Sequence, residues 1–223
     1  MASRDHPSKR LRPAARSGIG GLYMRGGKRM FDLAVCLFIL PFVGFGILLL
    51  WCLAKLVGPS GFFAHKRVGR DGVVFRCWKI RTMIANADQA LVQVFQQRPA
   101  LRNEWEKSRK LGNDPRVLPF GKYLRRTSLD ELPQIWNVIR GDMSLVGPRP
   151  VTRSELSLFG DARKDYLSVR PGITGLWQVK ARRVPCYIRR VKLDRHYARN
   201  ISFGQDLRIL LWTLPVLFRP TGR

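Results

Sequence analysis

The longest apolar stretch runs from residue 33 to residue 54, LAVCLFILPFVGFGILLLWCLA, without one charged side chain. As a straight helix it would measure about 33 Å, close to the thickness of a bilayer core. Pro41 lies inside it, where a proline removes a backbone hydrogen bond and bends a helix. Basic residues stand on both flanks: Arg25, Lys28 and Arg29 before it, then Lys55, Lys66, Arg67 and Arg70 after it. A simple span would place one cationic flank outside the cytoplasm, against the positive-inside tendency. The expected arrangement is a re-entrant helix, broken near Pro41, with both ends on the cytoplasmic side.

Beyond this segment the periodicity changes. Val73, Phe75 and Cys77 alternate with Val74, Arg76 and Trp78, which predicts a short hairpin turning at Asp71-Gly72. Residues 84 to about 110 follow a helical period, with Ala85, Leu91, Val94 and Phe95 on one side. Residues 201–218 are amphipathic and suit either a core helix or one lying on a membrane surface. Residues 1–27 are rich in Arg, Lys, Gly, Ser and Pro without apolar period, and read as a basic disordered tail. The chain therefore divides into a tail (1–27), a membrane-associated re-entrant helix (28–57) and a folded domain (58–223). That domain is expected to be a compact cytoplasmic unit, α/β or mainly α.

Charge narrows the choice of partner. Forty-one Lys and Arg against fifteen Asp and Glu leave a formal charge of +26. A surplus of this size implies a polyanionic partner: nucleic acid, an anionic membrane surface or a phosphate-dense substrate. The four cysteines form no CxxC pair and the three histidines no HExxH arrangement. A zinc site and a disulfide scaffold are not expected, and any metal should be a hard cation held by carboxylates and phosphate.

The candidate chemistry begins at Arg125-Arg126-Thr127-Ser128-Leu129-Asp130-Glu131-Leu132-Pro133-Gln134. Ser128-x-x-Glu131 has the spacing of a helix capping box, although Pro133 would strain a helix started there. Either way the carboxylates fall near a helix N-terminus, where free N–H groups stabilise anions. An ionised Asp130 there can act as a nucleophile and Glu131 as a ligand for Mg²⁺. Downstream, Gly147-Pro148-Arg149-Pro150 holds one arginine between two stiff residues. That suits a tight turn, or a guanidinium held for bidentate phosphate contact. Val169-Arg170-Pro171-Gly172-Ile173-Thr174-Gly175 then supplies glycines for close backbone approach, with Lys180, Arg182 and Arg183 following as cations.

Together, KRMFD (28–32), the apolar segment with its proline, KYLRRTSLDELPQIWNVIRGDMSLVGPRP (122–150) and RPGITGLWQV (170–179) resemble the bacterial sugar transferases. These are monotopic phosphoglycosyl transferases, and the short layout is most similar to members that prime exopolysaccharide synthesis. The resemblance runs from about Lys28 to the end of the chain. It implies a re-entrant helix at the cytoplasmic face of a bacterial inner membrane. It also implies that Asp130 attacks the β-phosphate of a UDP-sugar, releases UMP, and passes the phosphosugar to undecaprenyl phosphate. Glu131 would hold Mg²⁺, while Arg125, Arg149 and Arg182 would bind phosphate. Lys180-Ala181-Arg182-Arg183 departs from a family pattern that often has Gly before the arginine. Asp206 matches a position often acidic in the family, and suits a structural role equally. Anionic lipids are expected partners of the basic surface, and a homo-oligomer is compatible with the layout.

Two other readings compete. A membrane-tethered nucleic-acid-binding protein would account for the charge, but not for the Asp-Glu pair or the proline-flanked arginine. No RRM, KH or zinc-finger pattern is present, so nucleic acid is not the expected partner. Alternatively, the lipid phosphate attacks directly, with Asp130 as metal ligand or spectator.

Overall fold

The structure, a computed structural model, describes residues 19–57, 60–108, 111–181 and 186–218. Arg182 and most of the basic tail lie outside the described residues. The fold is mainly helical. Helix α1 (Ile19–Leu22) passes through a π turn (Tyr23–Gly27) into the long α2 (Lys28–Val57). The hairpin β1 (Phe62–Val68) and β2 (Val74–Ile80) follows, then α3 (Ala87–Gln97), α4 (Pro99–Ser108), α5 (Pro119–Thr127) and α6 (Gln134–Arg140). The remainder is β3 (Ser144–Val146), α7 (Arg153–Leu156), α8 (Arg163–Leu167), β4 (Gly172–Thr174), α9 (Leu176–Lys180), α10 (Tyr187–Arg199) and α11 (Phe203–Phe218).

The expected hairpin is present, antiparallel and in register from Phe62↔Ile80 to Val68↔Val74. Asp71 and Gly72 both adopt positive φ in its turn, the conformation that Asp-Gly favours. The helical stretch after residue 84 is two helices rather than one. Pro99 starts the second, and the residue before a proline is pushed out of helical geometry.

Two expectations about the N-terminal region are corrected. Helix is already present at Ile19, the first described residue and ahead of Lys28, and Tyr23 is buried in the core and donates to Asp206 (2.7 Å). Helix α2 also runs unbroken through Pro41. A proline costs one backbone hydrogen bond, and around it Ile39, Leu40 and Val43 pack against the core.

One face of α2 rests on the domain near both of its ends. At the N-terminal end, Lys28 pairs with Asp206, and Arg29 donates to the carbonyls of Val138 and Ile139 at the end of α6. Asp32 accepts from the Leu145 amide (3.1 Å). At the C-terminal end, Ala54 is buried with Ile80 of β2 and Leu124 of α5. The other face exposes Leu37, Phe38, Phe42, Phe45, Leu48, Leu49 and Leu53. By length and composition this helix could cross a membrane.

The largest apolar cluster joins α2, β2, α6, β3, α10 and α11, with Cys36, Val138, Met143, Val146 and Ile209 fully buried. Burying such side chains contributes about 1.5–3 kcal/mol each relative to exposure. β3 and β4 pair in parallel, Ser144 opposite Gly172 and Val146 opposite Thr174. A Cβ on Gly172 would stand 2.1 Å from the Gly147 nitrogen, so the start of β4 can touch the residue after β3 only as glycine.

Candidate active site

Asp130 and Glu131 lie in a 3-10 turn, Leu129–Glu131, between α5 and α6. Ser128 ends α5 in the left-handed conformation (φ 61°) and its side chain makes no capping hydrogen bond. The capping-box reading of Ser128 and Glu131 therefore fails. α6 starts only at Gln134, with Pro133 immediately before it, a place that needs no intrahelical N–H. A capping box does exist elsewhere, between Thr152 and Glu155 at the start of α7.

The turn is held on both sides. Leu129 packs beside Ala54, Ile80 and Leu124. Asn137 of α6 is fully buried; it accepts from the Trp78 amide (3.0 Å) and donates to the Arg76 carbonyl (2.7 Å). This fastens α6 to β2 and brings Lys79 over the carboxylates. Lys79 Nζ lies 2.6 Å from Glu131 Oε1 and 3.9 Å from Asp130 Oδ2. Arg149 Nη1 lies 3.7 Å from the same Glu131 oxygen.

Burial holds the Asp130 carboxyl above the ordinary carboxylate range, with Lys79 the leading opposing influence. Glu131 adds to the upward shift, while Arg125 and Arg149 oppose it. A buried anion of this kind needs its cations if it is to act ionised at neutral pH. Arg125 serves from behind: its Nε donates to the Thr82 hydroxyl (2.8 Å), and burial lowers its own affinity for the proton while Asp130 raises it. α5 can press this closely on Thr82 because residue 121 is glycine; a Cβ there would meet the Thr82 carbonyl at 2.4 Å.

A narrow pocket beside the turn is lined by Arg67, Cys77, Lys79, Glu131, Gln134, Arg149, Pro150, Ile173 and Gln178. Of the residues expected from the sequence, Glu131 and Arg149 line it, and Asp130 is buried next to Glu131. Arg125 does not line it, and Arg182 lies outside the described residues. Asp206 is remote from it in role: fully buried, it accepts from Tyr23 and Tyr197 (2.7 Å each) and pairs with Lys28. That is a structural tie between α2, α10 and α11.

Arg67, Lys79, Gln134 and Gln178 were not among the expected site residues. The signal for Lys79 was available, since it continues the Phe75, Cys77 face that turns inward, and a charge at an inward position needs a partner. Arg67 is fixed by Glu155 (3.0 Å), which also faces Arg190 (3.8 Å); Arg190 Nη2 donates to the Arg149 carbonyl (3.3 Å).

Among the described residues no group of three or more His, Cys, Asp or Glu side chains is placed to hold a metal ion. The adjacent carboxylates of Asp130 and Glu131 nevertheless offer the hard oxygen donors that Mg²⁺ takes when substrate phosphates complete its coordination.

The family model for bacterial sugar transferases matches residues 23–220. The exopolysaccharide production protein ExoY of Sinorhizobium fredii is 45% identical over 205 residues, covering 92% of this chain and 89% of that protein. The undecaprenyl-phosphate galactose phosphotransferase of Salmonella typhimurium is 43% identical over 195 residues, 87% of this chain but 41% of that longer protein. The UDP-glucose:undecaprenyl-phosphate glucose-1-phosphate transferase of Escherichia coli is 33% identical over 211 residues, 89% of this chain and 40% of that protein. With its carboxylate pair set under a lysine and an arginine and a family match over nearly its whole length, the chain belongs to the bacterial sugar transferases.

Proposed function

We propose that the protein transfers a sugar-1-phosphate from a UDP-sugar to undecaprenyl phosphate, releasing UMP, as a priming step of exopolysaccharide or related glycan assembly. The observation that carries this reading is the buried Asp130 beside Glu131, faced by Lys79 and Arg149, in a chain of this family.

An Asp130 oxygen attacks the β-phosphorus, the bond to the bridging oxygen breaks, and UMP leaves with that electron pair. An oxygen of undecaprenyl phosphate then attacks the same phosphorus, giving a diphosphate-linked lipid sugar and restoring the Asp130 carboxylate. Phosphoryl transfer depends on positioning and charge neutralisation more than on acid–base groups. Lys79 keeps Asp130 ionised, Arg149 grips phosphate oxygens, and Arg125 stabilises the turn from behind. Arg182 is assigned to phosphate as well. Glu131 is the ligand for Mg²⁺, which supplies further neutralisation of the diphosphate when bound.

The protein works at the cytoplasmic face of a bacterial inner membrane without crossing it. Supporting this, both ends of α2 rest on one domain, whereas the ends of a crossing helix are separated by about 30 Å of hydrocarbon. The exposed apolar face of α2 then meets acyl chains. The surplus positive charge is assigned to anionic lipid, at about 1 kcal/mol for each Lys or Arg near the surface, rather than to nucleic acid.

The test omits the acceptor. Detergent-solubilised protein with Mg²⁺ and each of UDP-glucose, UDP-galactose and the UDP-N-acetylhexosamines should release at most about one UMP per site from the right donor. Intact mass should rise by one sugar phosphate mapped to Asp130, and Asp130→Asn should abolish the adduct. UMP formed only with undecaprenyl phosphate, and no adduct, would establish direct attack instead. No UMP from any donor, with or without acceptor, would remove the transferase reading.

A further inference from the structure

The pocket lining holds two kinds of polar group. Arg67, Lys79 and Arg149 are cations set around Glu131, whereas Gln134 and Gln178 contribute neutral carboxamides. Gln178 is oriented by a hydrogen bond in which its Nε2 donates to the Ile173 carbonyl (2.8 Å). A carbonyl can only accept, so the amide nitrogen is fixed on that side and the amide oxygen on the other. That oxygen, Oε1, is buried and has no hydrogen-bond partner among the described residues. The oxygen lies beside Gly175, on a side chain that lines the pocket; buried acceptors are otherwise almost always paired, and an orphan on a pocket residue points to a ligand donor.

We infer that Gln178 Oε1 accepts a hydrogen bond from a neutral O–H or N–H of the nucleotide sugar, and so helps decide which donor substrate the pocket takes. The inference rests on the transferase reading above and deepens it. The phosphates are excluded as the partner, because ionised phosphate oxygens only accept and an amide oxygen repels them. They fall to Arg149 and Arg67, whose N–H groups only donate. What remains is a hydroxyl of the transferred sugar, a ribose hydroxyl, or the uracil N3–H. All three present the same chemistry to Gln178. A site built to hydrogen-bond a substrate hydroxyl discriminates strongly against an analogue lacking it, since the protein atom is then left unpaired.

The experiment pairs substrate deletions with a side-chain deletion. Full-length protein in detergent, with undecaprenyl phosphate and Mg²⁺, is assayed for kcat/KM of UMP release. The donor is whichever UDP-hexose in the panel turns over fastest. It is compared with analogues lacking one hexose hydroxyl at a time, with the 2′-deoxyribose analogue, and with the N3-methyluracil analogue. For the unmodified protein, one of these should lower kcat/KM by about tenfold or more, and its identity separates the sugar from the nucleoside. Gln178→Met, of similar length but without hydrogen bonds, should show a similar loss on the parent donor and little further loss on that one analogue. Indifference of the unmodified protein to every deletion overturns the inference without recourse to any variant. A Gln178→Met loss of equal size on all donors also overturns it, because it assigns Gln178 to holding Ile173. Absence of UMP release from every UDP-hexose takes down the transferase reading and this inference together.

Discussion

Replacing Lys79 by Met separates its electrostatic role from simple phosphate binding. Its Nζ stands 3.9 Å from Asp130 Oδ2 and 2.6 Å from Glu131 Oε1. At about 4 Å and an effective dielectric near 20, one such attraction amounts to about 4 kcal/mol. Lys79 keeps some solvent contact, and Arg125 and Arg149 still act on Asp130 in the variant, so the net effect is smaller. A loss of about 1.4–2.8 kcal/mol corresponds to a tenfold to hundredfold fall in kcat/KM at neutral pH. The direction of the pH effect follows from the same contacts. Burial already raises the Asp130 proton affinity, and removing the cation that most opposes it raises that affinity further. On the covalent mechanism proposed above only the ionised carboxylate attacks, so the acid limb of the rate profile should move to higher pH and part of the loss should return in alkali. Initial rates of UMP release from about pH 5 to about pH 9 measure this limb. A uniform loss at every pH, with the limb unmoved, would refute the ionisation argument and leave Lys79 as a phosphate ligand.

Arg149→Lys should keep the charge yet lose about tenfold to hundredfold in turnover, because an ammonium cannot reproduce bidentate phosphate contacts; near-normal kinetics would reduce Arg149 to a turn residue. Burial raises the Asp194 carboxyl to about 7, so between about pH 4 and about pH 7 the folded protein holds a proton that the unfolded chain has lost. Its contribution to stability is full below the unfolded value and is lost as pH rises through the folded one; chemical unfolding of Asp194→Asn should show a flatter dependence across that window, and an unchanged slope would rule this out. Single cysteines at positions 20 and 60, in a background lacking the native cysteines, should both be shielded from a membrane-impermeant reagent in intact cells. Labelling of position 20 alone would show that α2 crosses the membrane.

What the sequence revealed follows from which forces are local. The Asp71-Gly72 hairpin was legible because alternation and a positive-φ turn are both local properties, and β1 and β2 need nothing else to find their register. Arg149 was legible because two prolines stiffen its backbone whatever surrounds it. The capping box at Ser128 was misread because a three-residue spacing cannot reveal that Ser128 adopts the left-handed conformation closing the preceding helix. Lys79 comes from a hairpin far from Asp130 in sequence, and the Asn137 contacts between α6 and β2, with Leu129 packed beside Ile80, bring it over the carboxylates. The break expected at Pro41 weighed one lost hydrogen bond without the packing of Ile39, Leu40 and Val43, which lies outside the segment's own pattern.

The same packing makes α2 part of the folded domain rather than a detachable segment. Asp32 takes the Leu145 amide within β3, and the Tyr197 hydroxyl, which donates to Asp206, lies 3.0 Å from the Val146 carbonyl. Asp206 is in turn held by Lys28 and Tyr23, and Arg29 closes the carbonyls at the end of α6, opposite the end that follows Asp130 and Glu131. β3 leads directly into Gly147-Pro148-Arg149, so the start of α2 is joined by buried hydrogen bonds to the strand that precedes Arg149. Removing α2 would leave the Leu145 amide without its partner and Asp206 without Lys28 in the core, each a buried polar loss of about 1–3 kcal/mol or more. The face of α2 that carries Lys28, Arg29 and Asp32 is therefore tied to the elements that lead into the pocket, and the face that carries Phe38, Phe42 and Phe45 is exposed and apolar.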